Sequence, residues 1–276
     1  MQLSHPLNVD SIRSTLATRV LGHRIELFEQ LSSTNLEATT LGQSGVEHGT
    51  VVIADRQTAG RGRLARTWFS PGGANVYCSL VLRTDIPTNR LPEWLSWLPL
   101  MTALAAAEAI ESVISAPVSL KWPNDLLMAG RKVGGILCEN LQASPSGPFQ
   151  VIGVGINVNM NPDDFPAELR ESASSLWNET HAVVDRNRLI AQFLLEMEQC
   201  LEELDGRGSQ QLALAYQRRC STIGSKVRAS LADGSELTGY AESISQDGSL
   251  RITIQSGTRG EKTVELRVAD IVHLRS

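Results

Sequence analysis

At 276 residues the chain is long enough to bury a full core, and its net charge of -5 means that any nucleic-acid surface on it has to be local. Hydrophobic residues make up 42% and charged residues 20%, a balance that excludes a disordered or collagen-like chain. The opening MQLSHPLNVDSIRSTLATRV has no apolar core of signal-peptide length. The richest apolar stretch, Trp94 to Ile110, is broken by Ser96, Pro99 and Glu108, which argues against a membrane span. Cys78, Cys138, Cys200 and Cys220 are scattered, with no CxxC and no His at ligand spacing. They read as small buried hydrophobes in a reducing cytoplasm, not as a disulfide or zinc framework. A cytoplasmic chain with no membrane contact is the expectation.

Residues Met1 to Gln30 are mixed and too short for a helix-turn-helix module, so no DNA reading is expected there. In LSSTNLEATTLG, Ser32, Ser33 and Thr34 are capping types ahead of a short helix carrying Leu36 and Leu41. Capping is their ordinary role, but hydroxyls and exposed N–H groups at a helix start also suit a ligand's polar head. Thr50 to Gln57 is an apolar run that reads as a buried strand, and Asn75 to Leu82 as a second. Between them GRGRLARTWFSPGG crowds Arg61, Arg63 and Arg66 among glycines, with Trp68 and Pro71. Arginine forks suit phosphate and carboxylate oxygens, and glycine lets the backbone come close to a ligand. A solvated basic loop is the plain alternative. Gly60, Gly62 and Ala65 formally fit the dinucleotide pattern G-x-G-x-x-A, but Pro71 and two glycines follow where that pattern needs a helix.

Glu93 to Ile114 reads as a long, mostly buried helix whose regular part is limited by Pro92 and Pro99. Val118 to Trp122 is a short strand, Pro123, Asn124 and Asp125 a turn, and Gly130 centres a second turn. Lys132 then opens a strand over Val133 to Glu139, bringing lysines, an Asn and an Asp to one hairpin end; polar hairpin tips need no function to explain them. Phe149 to Met160 pairs with that strand across ASPSG, and Gly153 and Gly155 within it signal a close approach. Asn157 and Asn159 fall on one face of it. Asp185 to Leu204 is an amphipathic helix with an Asp cap, and Ser209 to Arg219 is another. From Thr222 the texture changes to short alternating strands at Lys226–Leu231, Glu236–Ile244, Ser249–Gln255 and Lys262–Val268. Asp233-Gly234 and Asp247-Gly248 supply hairpin turns, and together these make an SH3-like β-barrel. Two domains are expected, residues 1–221 and 222–276.

Four stretches in order, GRGRLARTWFSPGGANVYCSL, KWPNDLL, GRKVGGILCE and VIGVGINVN, resemble the biotin–protein ligases (biotin–[acetyl-CoA-carboxylase] ligases) from about Ser32 to Leu176. The resemblance implies an α+β fold: a mixed-sheet catalytic domain of the biotin/lipoate ligase, class II synthetase-like type, with the small C-terminal SH3-like barrel. It also implies the single-function type, lacking the DNA-binding domain of ligases that double as repressors. The family often has glycine where this chain has Ala65, which narrows the backbone choices there without removing a ligand group.

The implied reaction forms biotinyl-5′-AMP from biotin and ATP and then passes biotin to a lysine of the biotin carboxyl carrier protein of acetyl-CoA carboxylase. By the same resemblance Ser33, Thr34, Asn35 and Gln57 hold biotin's ureido ring, with Gly60, Arg61, Arg63, Lys132 and Gly135 completing the biotin side. Arg61, Arg63, Arg66, Trp68, Asn124, Lys132 and Asn157 face ATP, with bracing of the loop the alternative for Arg66 and a core position the alternative for Trp68. Lys132, Arg63 and Asp125 are the candidate catalytic residues, with Asp125 placed to accept the incoming lysine's proton. No carboxylate cluster marks a metal cage, so Mg2+ is expected to arrive with ATP. The resemblance implies no DNA partner and allows a homodimer. The rival readings are a lipoate or octanoate ligase, and a non-enzymatic binder that senses biotin or holds nucleic acid.

Overall fold

The alternating and apolar runs form two sheets in the computed structural model, which describes residues 6–83, 86–231, 233–255, 261–267 and 269–274. In chain order the elements are α1 (Val9–Thr15), β1 (Ile25–Leu31), α2 (Thr34–Gln43), β2 (Thr50–Gln57), β3 (Val76–Arg83) and α3 (Leu91–Ile114). Then come β4 (Ser119–Lys121), β5 (Asp125–Met128), β6 (Arg131–Gln142), β7 (Phe149–Ile156), α4 (Leu176–Thr180), α5 (Arg186–Arg207) and α6 (Gln210–Arg219). The C-terminal strands are β8 (Lys226–Ser230), β9 (Glu236–Ile244), β10 (Leu250–Gln255), β11 (Glu261–Leu266) and β12 (Asp270–His273). The first sheet has the order β1-β2-β3-β7-β6-β5-β4 and is antiparallel except for the β1–β2 pair. The second is a five-stranded antiparallel sheet, β11-β10-β9-β8-β12. This is the mixed α+β architecture with a small C-terminal β module that the sequence implies.

Three strands escape the pattern reading: β5, four residues long and opening at Asp125 where a turn is expected, β1 and β12. Strand β1 lies in a stretch of mixed composition because, as an edge strand beside β2, its side chains are mostly half-buried or exposed. Strand β12 is only four residues long and pairs back to β8 from across the module. The expected strand Lys262–Val268 appears as β11, and its Val268 falls outside the described residues.

Residue parity decides what each face of the large sheet carries. Cys78, Leu80 and Leu82 of β3 and Ile152, Val154 and Ile156 of β7 point into the main core, which α3 and α5 also enter. Ser79 of β3 and Gly153 and Gly155 of β7 have the opposite parity and face the other way. Helix α3 is long and apolar enough to cross a membrane by composition, with mean hydropathy 1.4, contrary to the expectation from its interruptions. Two thirds of that window (67%) is buried inside the protein, so its apolar surface belongs to the core. Pro92 sits in its first turn, where no N–H is required, and the helix continues through Pro99. Hydrogen bonds from Trp97 Nε1 to Gln246 O (2.8 Å) and Trp122 Nε1 to Gly248 O (3.1 Å) tie α3 and the segment after β4 to the C-terminal module. Cys78, Cys200 and Cys220 are buried and Cys138 half-buried, all as free thiols.

The turn that leads into β1 is held from α5. Glu198 accepts the N–H groups of Arg19 (2.6 Å), Val20 (2.8 Å) and Leu21 (2.9 Å). Burial raises its pKa, but those three donors and the Arg19 charge outweigh burial and leave it below the ordinary glutamate value. A depressed folded pKa means stabilisation present above the unfolded value and lost as pH falls through the folded one. Glu198→Gln is therefore expected to cost about 1.5–3 kcal/mol at pH 7. In urea titrations the gap to the parent should close as pH drops below about 4; a gap that stays constant would show that the charge is irrelevant.

Candidate functional site

A cavity of about 790 Å³ opens on the glycine-bearing face of the large sheet. Its floor follows from register: Ser79 pairs with Gly153 and Gly153 with Leu137, while Tyr77 pairs with Gly155 and Gly155 with Gly135. A Cβ on Gly153 would lie 2.0 Å from Asn35 Oδ1, so the missing side chain is what lets the first turn of α2 settle onto the sheet. Asn35 then donates to Leu137 O (3.2 Å) and Glu139 Oε2 (3.0 Å) and accepts from Ser79 Oγ (2.6 Å). Gln57 Oε1 accepts the N–H of Thr34 at 2.8 Å, and Gln57 Nε2 donates to Ser70 Oγ at 3.0 Å. Ser33 occupies the N-cap position of α2, yet its side chain makes no capping bond, and it lines the cavity. Ser33, Thr34, Asn35 and Gln57 thus converge as a polar end wall.

The arginine segment is a folded hairpin and not an open loop. Arg61 bridges to Thr67, Gly62 donates to Arg66 O (2.7 Å) and Trp68 to Gly60 O (2.9 Å). Its like charges are offset one by one: Arg61 pairs with Glu139, Arg66 with Asp270, and Arg63 donates to Asn124 Oδ1 (2.9 Å) and Ala269 O (3.1 Å). Gly60 does not line the cavity; its role is close approach, since a Cβ there would meet Ser70 Oγ at 2.4 Å and Trp68 O at 2.5 Å. Leu64 and Ala65 both sit in the left-handed region, at φ 53° and 57°. Ala65 thus holds a backbone conformation that a residue with a Cβ adopts against its preference. At the far end, Asp55 accepts Gly73 N–H (2.8 Å) and pairs with the fully buried Arg186 (2.7 Å), which fixes the hairpin's exit.

Trp68 lies across the glycine floor, its ring atoms 2.6–3.1 Å from where a Gly155 Cβ would be and 3.5 Å from that of Gly135. Its Nε1 is buried without a hydrogen-bond partner among the described residues. Lys132 Nζ stands 5.4 Å from the Trp68 ring centroid and 2.5 Å from Asp125 Oδ1. Burial pulls the Arg63 pKa below the ordinary arginine value against the opposing pull of Asp270 and Asp125. Asn124 also donates to Ile136 O (2.9 Å), and Asn157 to Ser174 O (2.9 Å), both beside the cavity. Asn159, on the same strand face in the sequence reading, instead bonds Val184 through both ends of its amide and braces the fold.

Two contributors escape the sequence reading. Ser79 is fully buried and carries no motif signal; only the pairing of β3 beside β7 brings it under Thr34 and Asn35. Strand β12 brings Asp270, Val272 and His273 to the cavity from the C-terminal module. Burial and the nearby Lys121 charge lower the His273 pKa, so it is neutral at pH 7.

Residues 27–159 match the Biotin/lipoate A/B protein ligase family. The chain is 36% identical over 280 residues to the biotin–[acetyl-CoA-carboxylase] ligase of Mycobacterium tuberculosis, covering 99% of this chain and 98% of that protein. It is 36% identical over 253 residues to the bifunctional ligase/repressor BirA of Bacillus subtilis, covering 92% of this chain and 76% of the relative. Among solved structures, the biotin protein ligase from Aquifex aeolicus in complex with biotin and ATP superposes with a TM-score of 0.76. It is 27% identical, with 91% of this chain and 100% of that one covered.

The site's dependence on a bare position in β7 is open to test. Gly153→Ala should displace the Asn35 amide and orphan Ser79, costing about 1–3 kcal/mol in urea denaturation. Gly130→Ala, with nothing within 4 Å and only a positive φ of 77° to strain, should cost about 1 kcal/mol. Equal or reversed losses would remove the close approach as the reason for Gly153.

Proposed function

The chain belongs to the Biotin/lipoate A/B protein ligase family, and on that premise we propose how its residues divide the work. It is an AMP-forming enzyme that attaches biotin to the biotin-bearing carrier of acetyl-CoA carboxylase, with biotin and ATP as substrates. The lipoate and non-enzymatic readings are not favoured. The observation that carries the residue assignment is the single cavity in which a hydrogen-bonding wall at Thr34 and Gln57 and the Lys132 and Arg63 cations stand at opposite ends of the glycine floor. That polarity fits a molecule with a neutral polar ring at one end and a carboxylate at the other.

In the first half-reaction the carboxylate oxygen attacks the α-phosphorus, and pyrophosphate leaves with the bonding electrons. Carboxylate and triphosphate repel at close range unless cations stand between them. Lys132 fills that place, released from Asp125 as the carboxylate and α-phosphate replace it. Arg63, anchored on Asn124 and Ala269 O, faces the adenylate phosphate, and Arg66 exchanges Asp270 for the outer phosphates. Arg61, paired with Glu139 behind Asn35, borders the biotin side of the cavity, while Trp68 offers its indole face along the slot. Asn124 and Asn157 border the nucleotide. Mg2+ carried in on ATP would draw charge from the phosphates. In the second half-reaction a carrier lysine, with an unperturbed pKa of about 10.4, must lose a proton before its nitrogen attacks the acyl carbon. Asp125, freed from Lys132, accepts that proton, and AMP departs. We place the domain boundary at 221/222 and the enzyme in the cytoplasm, the latter on its free thiols.

Release of pyrophosphate from ATP only when biotin is present is the direct test; release without biotin, or with lipoate in its place, would overturn the substrate assignment. Lys132→Ala should slow this step by roughly 10²-fold or more with little change in unfolding midpoint. A rate within a few-fold of the parent would take Lys132 out of the mechanism.

Arg63→Gly should make adenylate but lose it. A charge-assisted hydrogen bond is worth about 1.5–3 kcal/mol, so the intermediate should dissociate roughly 10- to 100-fold more readily. Rapid filtration after a single turnover without carrier measures it; equal retention by both proteins would show that Arg63 does not hold the adenylate.

A further inference from the structure

The polar wall has a proton direction built into it. Asn35 places one end of its amide against two pure acceptors, Leu137 O at 3.2 Å and Glu139 Oε2 at 3.0 Å, so that end is the NH2 group. Its other end, 2.6 Å from Ser79 Oγ, is therefore the carbonyl oxygen, which only accepts. Ser79 has one proton and must give it to Asn35. The 2.8 Å contact between the Ser79 and Thr34 hydroxyls can then be a hydrogen bond only if Thr34 donates. The other neighbour of that hydroxyl, Gln57 Oε1 at 3.2 Å, is also an acceptor, because Gln57 directs its NH2 group to Ser70. Gln57 Oε1 is the longer contact and already takes the Thr34 N–H at 2.8 Å, so the Thr34 proton goes to Ser79 and points into the protein.

We propose that Ser79, backed by Asn35 and Glu139, is a positioning residue that fixes the proton direction at Thr34, so that Thr34 meets a ligand N–H as an acceptor. This rests on the biotin reading, in which a ureido ring with two N–H groups lies against the wall. The wiring adds a reason for selectivity: a ring without N–H groups finds lone pairs facing it at Thr34 and forms no bond. All four residues lie within one connected set, with Thr34 and Asn35 4% exposed and Ser79 fully buried, so water does not offer Thr34 an alternative proton acceptor on the protein side. Glu139 has a second duty, since its Oε1 pairs with Arg61 and thereby links the wall to the arginine hairpin.

The test is a double-mutant cycle read by calorimetric titration of the full chain with biotin alone, without ATP. Ser79→Ala should weaken biotin roughly tenfold, the equivalent of one hydrogen bond at about 1.4 kcal/mol per decade. In a Thr34→Val background the same change should matter less than twofold, and the KM for ATP should stay within twofold of the parent. Glu139→Gln is the second variant, at a half-buried side chain whose replacement leaves one oxygen for Arg61 and Asn35 to share. It should weaken biotin two- to fivefold in the parent and have no effect with Thr34→Val. Equal losses in both backgrounds, or a matching rise in the KM for ATP, would show Ser79 and Glu139 to be merely structural and overturn the proposal. An unmodified protein that takes up no biotin would overturn the functional reading instead, and the proposal with it.

Discussion

The constraint on which the site depends is a sheet whose two faces are filled differently. One parity of β3 and β7 is solid aliphatic and packs into the core shared with α3 and α5. The other parity carries a small apolar cluster with Val81, Phe149 and Val151, then Ser79, Gly153 and Gly155, and the room these last three leave is where the first turn of α2 and Trp68 come down onto the backbone. Filling either glycine with a side chain would collapse the difference between floor and core. Close packing elsewhere makes that difference rigid, because interiors at crystal-like density do not flow to occupy a gap.

Charge is arranged on this floor by pairing. Four cations, Arg61, Arg63, Arg66 and Lys132, surround one cavity, and each is held by an acceptor from a different element: Glu139 from β6, Asn124 before β5, Asp270 from β12 and Asp125 from β5. The three ion pairs, of Arg61, Arg66 and Lys132, are partly exposed, so each contributes little to stability and is easily exchanged for a phosphate or carboxylate oxygen. The hairpin is therefore kept in place without being locked. Two of its anchors, Ala269 O and Asp270, belong to the C-terminal module, which makes that module part of the cavity's wall.

At the opposite end Thr34, Ser79 and Asn35 are neutral, buried and fixed in proton direction, with the Glu139 carboxylate behind them. A neutral hydrogen bond gains its value from exclusion of water, and the Thr34–Ser79–Asn35 set has that exclusion. Screened, exchangeable charges at one end and unscreened, oriented dipoles at the other suit a ligand whose two ends differ in the same way.

The sequence by itself determined whatever is local. Periodicity marked α3, α5 and α6, alternation and Asp-Gly turns marked β8 to β10, and an apolar run marked β2. The crowding of arginines, the polar helix start at Ser33 and the glycines of β7 were legible for the same reason: composition at one place carries them. Tertiary structure alone decided which of these meet. Ser79 looks like any strand serine until pairing sets it beside Gly153, and Asp270 lies on a strand too short to show alternation. Glu139 meets Asn35 and Arg61 from 104 and 78 residues away. Hydrogen bonds act over about 3 Å in space, whereas a pattern reports only neighbours along the chain, so the reach of each side chain had to wait for the sheet order.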